Sequence, residues 1–173
     1  MHSLWEDAVA TMNLEQVNHF EREGVLPIAF SLFHFTRIED QSASLLGAGP
    51  EVYNDGWASK MGLAIADHGK ERAVEEMIDQ RIGDYERFGE YMTLVFEKTE
   101  TWLAGADDAS FDEVVVRRPF PPQIASTFSA RAASPGGITR HDAVECWIYQ
   151  HGLRHMGEIE HARALVGLGG MTS

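Results

Sequence analysis

The segment "ERAVEEMIDQRIGDYERFGEYMTLVFEKTETWL", residues 71–103, repeats apolar side chains mostly at three- and four-residue steps. The apolar positions are Val74, Ile78, Ile82, Tyr85, Phe88, Met92, Val95 and Trp102. This period is typical of an amphipathic α-helix, because residues three or four apart lie on one helical face. A helix from Glu71 to about Leu103 would be roughly 50 Å long at 1.5 Å per residue. That length is ample for one wall of a helical bundle.

Two helices are predicted before this segment. Residues 3–22 place apolar side chains mostly on one helical face, with a break predicted near Asn13. Residues 25–46 contain a nearly unbroken apolar run, 28–35, which is typical of a helix buried on more than one side.

A final helix is predicted near residues 140–167, where Thr139 and Asp142 resemble a capping box and glycines follow the last turn. Two long connections separate the last three helices, 47–70 and 106–138, and the second contains a short run, VVVRR, that favours an extended piece. Four helices and no convincing sheet predict an all-α four-helix bundle with long loops between helices 2 and 3 and between helices 3 and 4.

Composition bounds the class of protein. The chain has 173 residues, of which 44% are hydrophobic, and this suits one domain, 1–173, with its own core. Its 14 Lys and Arg residues against 27 Asp and Glu residues give a net charge of -13, so neither nucleic acids nor anionic membranes are expected partners.

No apolar run approaches the roughly 20 residues that span a bilayer, and no signal peptide is recognisable at the N-terminus. We therefore expect a cytoplasmic protein.

Three histidines form the candidate metal site. His151 and His155 are four residues apart, so on a helix both side chains can reach one metal ion. Eight histidines in 173 residues give roughly 0.3 such pairs by chance, so a third ligand is needed. His34 is the candidate, because it stands between Phe33 and Phe35, where an imidazole must find a hydrogen bond or a metal. A core histidine satisfied by a hydrogen bond is the alternative.

Two other classes of metal site do not fit the sequence. Zinc peptidases of the H-E-x-x-H type carry Glu directly after the first His, whereas Gly152 follows His151. Di-iron bundles use two E-x-x-H pairs, and this chain contains one, from Glu158 to His161. The histidines expected at the surface are His2, His19, His68, His141 and His161.

Other residues near the histidines are candidates for catalysis or binding. Glu158 is the candidate catalytic residue, as a general base, and it also suits a fourth ligand or a group that orients an imidazole; a solvated carboxylate is the alternative. Arg37 and Arg154 are candidates for binding a carboxylate of substrate or cofactor, with surface ion pairs as the alternative. The single cysteine, Cys146, lies among apolar residues and is expected to be a small buried hydrophobe.

With His34 in "SLFHFTRIEDQ" and the late H-x-x-x-H pair followed by "MGEI", the chain resembles the DinB-like (YfiT-like) superfamily of metal-dependent four-helix bundles. The resemblance covers nearly the whole chain, in helix order as well as motif. It implies one divalent metal, zinc or nickel most often, held by His34, His151 and His155 with open positions for water or substrate. It also implies a homodimer. Relatives in that superfamily include bacillithiol and mycothiol S-transferases and a mycothiol-dependent maleylpyruvate isomerase.

The function expected from this resemblance is metal-dependent transfer of a small thiol, of the bacillithiol, mycothiol or glutathione type, to a small-molecule electrophile. Three neutral imidazoles leave the metal its full charge, so a bound thiol would be held as thiolate. Two alternatives stay open. One is a non-catalytic metal-binding or dimerisation bundle, in which the long third helix packs against a second subunit. The other is a metal-dependent hydrolase with Glu158 as general base.

Overall fold

The computed structural model describes residues 1–170 and is mostly helical, with a small two-stranded sheet. The helices are α1 (His2–Ala10), α2 (Leu14–Val17), α3 (Ile28–Leu46), α4 (Asp55–Met61), α5 (Val74–Met77), α6 (Tyr85–Gly105), α7 (Pro122–Ala125), α8 (Phe128–Ala132), α9 (Arg140–Ala143) and α10 (Gln150–Leu165). A 3-10 helix spans Asp108–Asp112, a π-helical segment spans Val144–Tyr149, and the strands are β1 (Val114–Arg117) and β2 (Gly137–Thr139). A mostly helical fold is thereby confirmed. The predicted domain runs to residue 173, and residues 171–173 lie outside the described part.

The first predicted helix is broken where expected and ends earlier than expected. Asn13 caps α2 by accepting a hydrogen bond from the backbone N–H of Gln16, and this confirms the predicted break. Helix α2 ends at Val17, so the prediction that the helix continues to residue 22 was wrong. The side chain of Asn18 instead exchanges two hydrogen bonds with the backbone of Ile82, which offers the chain an alternative to another helical turn.

Helix α3 carries His34 through the centre of the molecule. It begins directly after Pro27 and ends at Gly47, which adopts a left-handed conformation with φ of 108°. An uninterrupted run of its residues, 28–37, is buried, so the prediction of a helix buried on more than one side is confirmed. It packs against α6 and α10, while α1 packs against the same two helices.

The long helix is shorter than its sequence pattern indicates. Helix α6 begins at Tyr85 rather than Glu71, because Asp84 caps it by accepting from the backbone N–H of Arg87. Just before this cap the backbone of Gly83 lies against Gly62, where an added Cβ would be 3.0 Å from the Gly62 carbonyl oxygen. Beyond the cap the predicted period holds. The buried residues of α6 are Phe88, Tyr91, Met92, Val95, Phe96 and Thr99.

The C-terminal helix runs from α9 through the π-helical segment into α10. Thr139 accepts from the backbone N–H of Asp142 and the Asp142 side chain accepts in return, so the predicted capping box is confirmed. The π-helical segment, Val144–Tyr149, stands directly before the turn that carries His151. Both the segment and α10 pack against α3, which brings the two halves of the candidate site into contact.

The two long connections contain structure of their own. The connection 47–70 includes α4. The first part of this connection is held by Asp40, whose carboxylate accepts from the backbone N–H groups of Val52 and Tyr53. The connection 106–138 includes β1, α7 and α8 and enters β2, which pairs with β1 in antiparallel fashion. The expected extended piece at VVVRR is thus a strand, although no sheet was predicted. No helix within residues 1–170 is both long and apolar enough to cross a membrane.

Candidate metal centre

The structure brings the three predicted histidines together between α3 and α10. One ring nitrogen from each of His34, His151 and His155 lies within 4.8 Å of the other two. The ring centres are 5.3 Å apart for His34 and His151, 4.9 Å for His34 and His155, and 4.6 Å for His151 and His155. A single ion can therefore lie within reach of all three imidazoles.

Two of these imidazoles are oriented by a hydrogen bond on Nδ1. His34 Nδ1 donates to the backbone carbonyl of His68 at 2.5 Å. His155 Nδ1 donates to the Glu158 carboxylate at 2.7 Å. Since a carbonyl and a carboxylate can only accept, each of the two rings has a proton on Nδ1, which leaves Nε2 as the nitrogen that can offer a lone pair. This arrangement, with Nδ1 held and Nε2 available, is the one that metal-binding histidines use.

The contact between the imidazoles of His151 and His155 fits a shared cation. His155 Nε2 and His151 Nε2 are 3.0 Å apart. Two nitrogens at that separation can both bind one ion at about 2.1 Å with an angle of about 90°. His151 Nδ1 is buried and has no hydrogen-bond partner among the described residues. This atom stays unpaired whether or not an ion binds Nε2, so the fit of the donor set to a metal rests on the short Nε2–Nε2 separation and on the held Nδ1 atoms of His34 and His155.

Burial keeps the imidazoles of His34 and His151 in the form that binds metals. Desolvation, with a smaller contribution from the neighbouring His155, lowers the pKa of His34 to about 4. Desolvation and the neighbouring His155 and His34 lower the pKa of His151 to about 2. Both rings are therefore neutral at pH 7, and a neutral imidazole has the lone pair that a metal needs.

Glu158 supports His155 from the side opposite Nε2. The hydrogen bond from His155 is the main reason that the pKa of the Glu158 carboxyl is lowered, so the group is ionised. The hydroxyl of Ser31, one turn before His34 on α3, donates to the same carboxylate oxygen at 3.0 Å. Glu158 is thus placed to orient an imidazole. Its predicted role as a catalytic base stays a prediction.

A cleft of about 460 Å³ is lined by His34 and His151. Its walls include Ile38 of α3 and Trp147 of the C-terminal helix. The connection 47–70 contributes His68 and Lys70, and the connection 106–138 contributes residues 123–124 and 127–129. Both long connections therefore form walls of this cleft, a question that the sequence left open.

The two candidate arginines differ in position. Arg154 is exposed and lines the cleft, with Nε donating to the backbone carbonyl of Gln150 at 3.4 Å. Arg37 is buried, pairs with Glu51 at 2.5 Å, and stacks its guanidinium 4.6 Å from the centre of the Tyr53 ring. It is not among the residues that line the cleft. Carboxylate binding by either arginine stays a prediction, and only Arg154 is placed for it.

The sequence-based interpretation was wrong or incomplete for Cys146, His2 and His68. Cys146 is buried as expected, and burial raises the pKa of its thiol, yet it also lines the cleft. The prediction that His2 lies at the surface was wrong, because its side chain is 11% exposed and bonds Glu39 and Glu100. His68 is half-buried, and its backbone carbonyl orients His34, a contact that no side-chain pattern could indicate.

Comparison with known proteins adds information on the fold alone. No family model matches the chain, and no curated protein matches it. The fold is similar to that of a conserved protein of Enterococcus faecalis known from a crystal structure, with a TM-score of 0.73 and 17% sequence identity. The similarity covers 96% of this chain and 91% of that protein.

Proposed function

We propose that this chain is a four-helix-bundle metalloprotein of the DinB-like type, in which His34, His151 and His155 bind one divalent ion, zinc or nickel. The four helices of the bundle would be α1, α3, α6 and the C-terminal helix that ends in α10. The observation that carries the proposal is the convergence of three imidazole nitrogens within 4.8 Å of one another. The hydrogen bonds to His68 and Glu158, which leave Nε2 free on two rings, support it further.

We further propose that the site activates a small thiol for transfer to an electrophile. A divalent ion with three neutral ligands would lower the pKa of a bound thiol, so that it is held as thiolate near neutral pH. Glu158 would hold the His155 ring in place, and the cleft beside His34 would hold the small molecules. Its volume of about 460 Å³ suits small-molecule ligands, whose sites typically measure roughly 300–1,000 Å³.

The two alternatives have weaker support. A hydrolase would need Glu158 as general base, yet its Oε2 already accepts from His155 and Ser31. A bundle that dimerises through its long helix would need a free apolar face, yet α6 buries that face within its own chain. A homodimer through another surface stays part of the proposal, and light scattering of the purified protein tests it.

Metal content is the first test. The protein, purified without an affinity tag, is expected to hold about one divalent ion per chain by elemental analysis. His34→Ala and His151→Ala should lose the ion. His161→Ala, which removes an exposed histidine of the same helix, should retain it and serves as the control. An absence of metal in the wild-type protein, even after zinc or nickel is added, would refute the proposed site.

The thiol half of the proposal has its own test. Nickel-loaded protein titrated with glutathione should develop a thiolate-to-nickel charge-transfer absorption that His34→Ala lacks. Spectra that do not change with thiol, in protein shown to hold nickel, would remove thiol activation and leave the metal site standing.

A further inference from the structure

The cleft at the histidines has a mainly apolar wall. Ile38 and Leu45 of α3 line it, together with Ile124 of α7, Phe128 of α8 and Trp147. Leu45 is 79% exposed and Phe128 is 46% exposed, so two large apolar side chains on different elements remain in contact with water. A ligand with an apolar body would remove this surface from water, which is favourable.

Two cationic side chains line the same cleft. Lys70 and Arg154 are both exposed, and neither forms an ion pair with a carboxylate within residues 1–170. Glu71 also lines the cleft, so its three charged lining residues carry a net charge of one positive unit, whereas the whole chain carries -13. The cleft therefore combines local positive charge with an apolar wall.

We infer that this cleft binds a small organic acid with an apolar body, its carboxylate held by Lys70 and Arg154. Guanidinium and ammonium groups donate charge-assisted hydrogen bonds to carboxylates. The apolar body of the acid would pack against the exposed apolar wall. The inference names the substrate class of the site described above, and in that respect it rests on the proposed function.

Octanoate is the probe that tests both halves of this inference. Trp147 lies in the wall, so octanoate binding should change tryptophan fluorescence in a saturable manner. Octanamide has the same chain without the charge, and acetate has the charge without the chain. Octanoate should bind at least tenfold more tightly than either analogue. Equal binding of octanamide would overturn the role of the cations, and equal binding of acetate would overturn the role of the apolar wall.

Variants assign the binding to the cleft. Arg154→Ala and Lys70→Ala should each weaken octanoate binding about tenfold, since each removes a hydrogen bond to a charged group, and should leave octanamide unchanged. Arg117→Ala removes an exposed cation of β1 outside the cleft and should change neither. Octanoate should also slow alkylation of Cys146, the only cysteine, which lines the cleft. Unaltered affinity in both cation variants, or no protection of Cys146, would overturn the inference.

The titrations are repeated on zinc-loaded protein and on His34→Ala, so that this inference and the metal site can fail separately. The effect of Arg154→Ala should persist in both proteins. Zinc binding without octanoate binding would overturn the inference and leave the metal site intact. Octanoate binding to a wild-type protein that takes up no metal would support the acid site and refute the proposed metal.

Discussion

The residues that hold the imidazoles matter as much as the imidazoles themselves. His155 is held by Glu158, which is held in turn by Ser31 of α3, so one carboxylate connects the two helices that supply the candidate ligands. His34 is held by a backbone carbonyl, which no substitution of His68 removes. A ligand that is fixed before the ion arrives loses little conformational freedom on binding, and this favours affinity.

Glu158→Gln should weaken zinc binding about tenfold to a hundredfold without abolishing it, because the amide accepts a weaker hydrogen bond from His155 than the carboxylate does. Competition with a chromogenic chelator measures the affinity. Glu97→Gln, which removes an exposed carboxylate of α6, a helix that supplies none of the three histidines, is the control. An affinity equal to that of the wild type would show that the carboxylate does not support the ligand.

Gly69→Ala should disturb the backbone that presents the His68 carbonyl. An added Cβ would lie 2.5 Å from the Phe30 ring, at a residue whose φ is 78°. Gly24 has the same φ of 78° with nothing within 4 Å of an added Cβ, so Gly24→Ala shares the conformational cost without the clash. Gly69→Ala should be the more destabilising by about 1–3 kcal/mol in urea unfolding and should also weaken zinc binding. Equal losses of stability would show that the clash is relieved at no cost.

The three candidate ligands could be predicted from the sequence, and so could Glu158 as a group that orients an imidazole, but the support of His34 could not. His151 and His155 follow from the geometry of one helix, and His34 follows from its apolar neighbours together with a family resemblance. The acceptor for His34 lies 34 residues further along the chain, in a connection whose path depends on Gly69 and Phe30. Backbone carbonyls carry no sequence signal, so a contact of this kind becomes visible only in three dimensions.

At the scale of helices, α10 depends on a close approach to α3. A Cβ added to Gly152 would lie 2.8 Å from the Phe35 ring and 2.3 Å from the Met1 sulfur. Gly152→Ala should therefore destabilise the protein by about 1–3 kcal/mol, because the helix that carries His151 and His155 would be pushed outward.

Gly157, on the same helix, provides the matched control, since an added Cβ there meets nothing within 4 Å. Gly157→Ala should stabilise the protein by about 0.5–1 kcal/mol through helix propensity. Thermal or urea unfolding of both variants checks the pair. Stabilisation by both substitutions would mean that the contact between α10 and α3 can accommodate a methyl group at Gly152.

The error in the length of α6 has a physical origin. Val74, Ile78 and Ile82 are four residues apart and imitate a helical face, although Val74 is exposed. Asp84 begins the helix, and the preceding Gly83 is needed for the contact with Gly62. Asp is a preferred N-cap residue and Gly often marks a turn, yet a favourable apolar period on both sides of this pair concealed the boundary.

At the scale of the whole molecule, His2 joins three helices. It bonds Glu39 of α3 and Glu100 of α6, and its ring stacks 4.1 Å from that of Phe96. Desolvation lowers the pKa of His2, but the hydrogen bonds and charges of the two carboxylates outweigh it, so the pKa is raised above 6.5. The folded protein therefore holds a proton here more tightly than the unfolded chain does.

His2→Gln should cost most stability at low pH. A pKa that is raised on folding contributes stability that is full below about pH 6.5 and is lost as pH rises through the folded value. The difference in unfolding free energy between wild type and His2→Gln should thus be larger at pH 6 than at pH 9. His141→Gln, at an exposed position, should show no such trend. A difference that is constant with pH would mean that the proton of His2 does not contribute to stability.

The π-helical segment before His151 determines the direction in which the side chains of α10 point. A π-turn holds one residue more than an α-turn, so each residue beyond it is rotated by about 100° relative to an uninterrupted α-helix. Cys146 and Trp147 lie within the segment and line the cleft, while the two histidines follow it. A deletion of one residue there would remove the π-turn and at the same time turn His151 and His155 away from His34. In this stretch the number of residues therefore determines the direction in which His151 and His155 point. Insertions or deletions should be tolerated less well than substitutions.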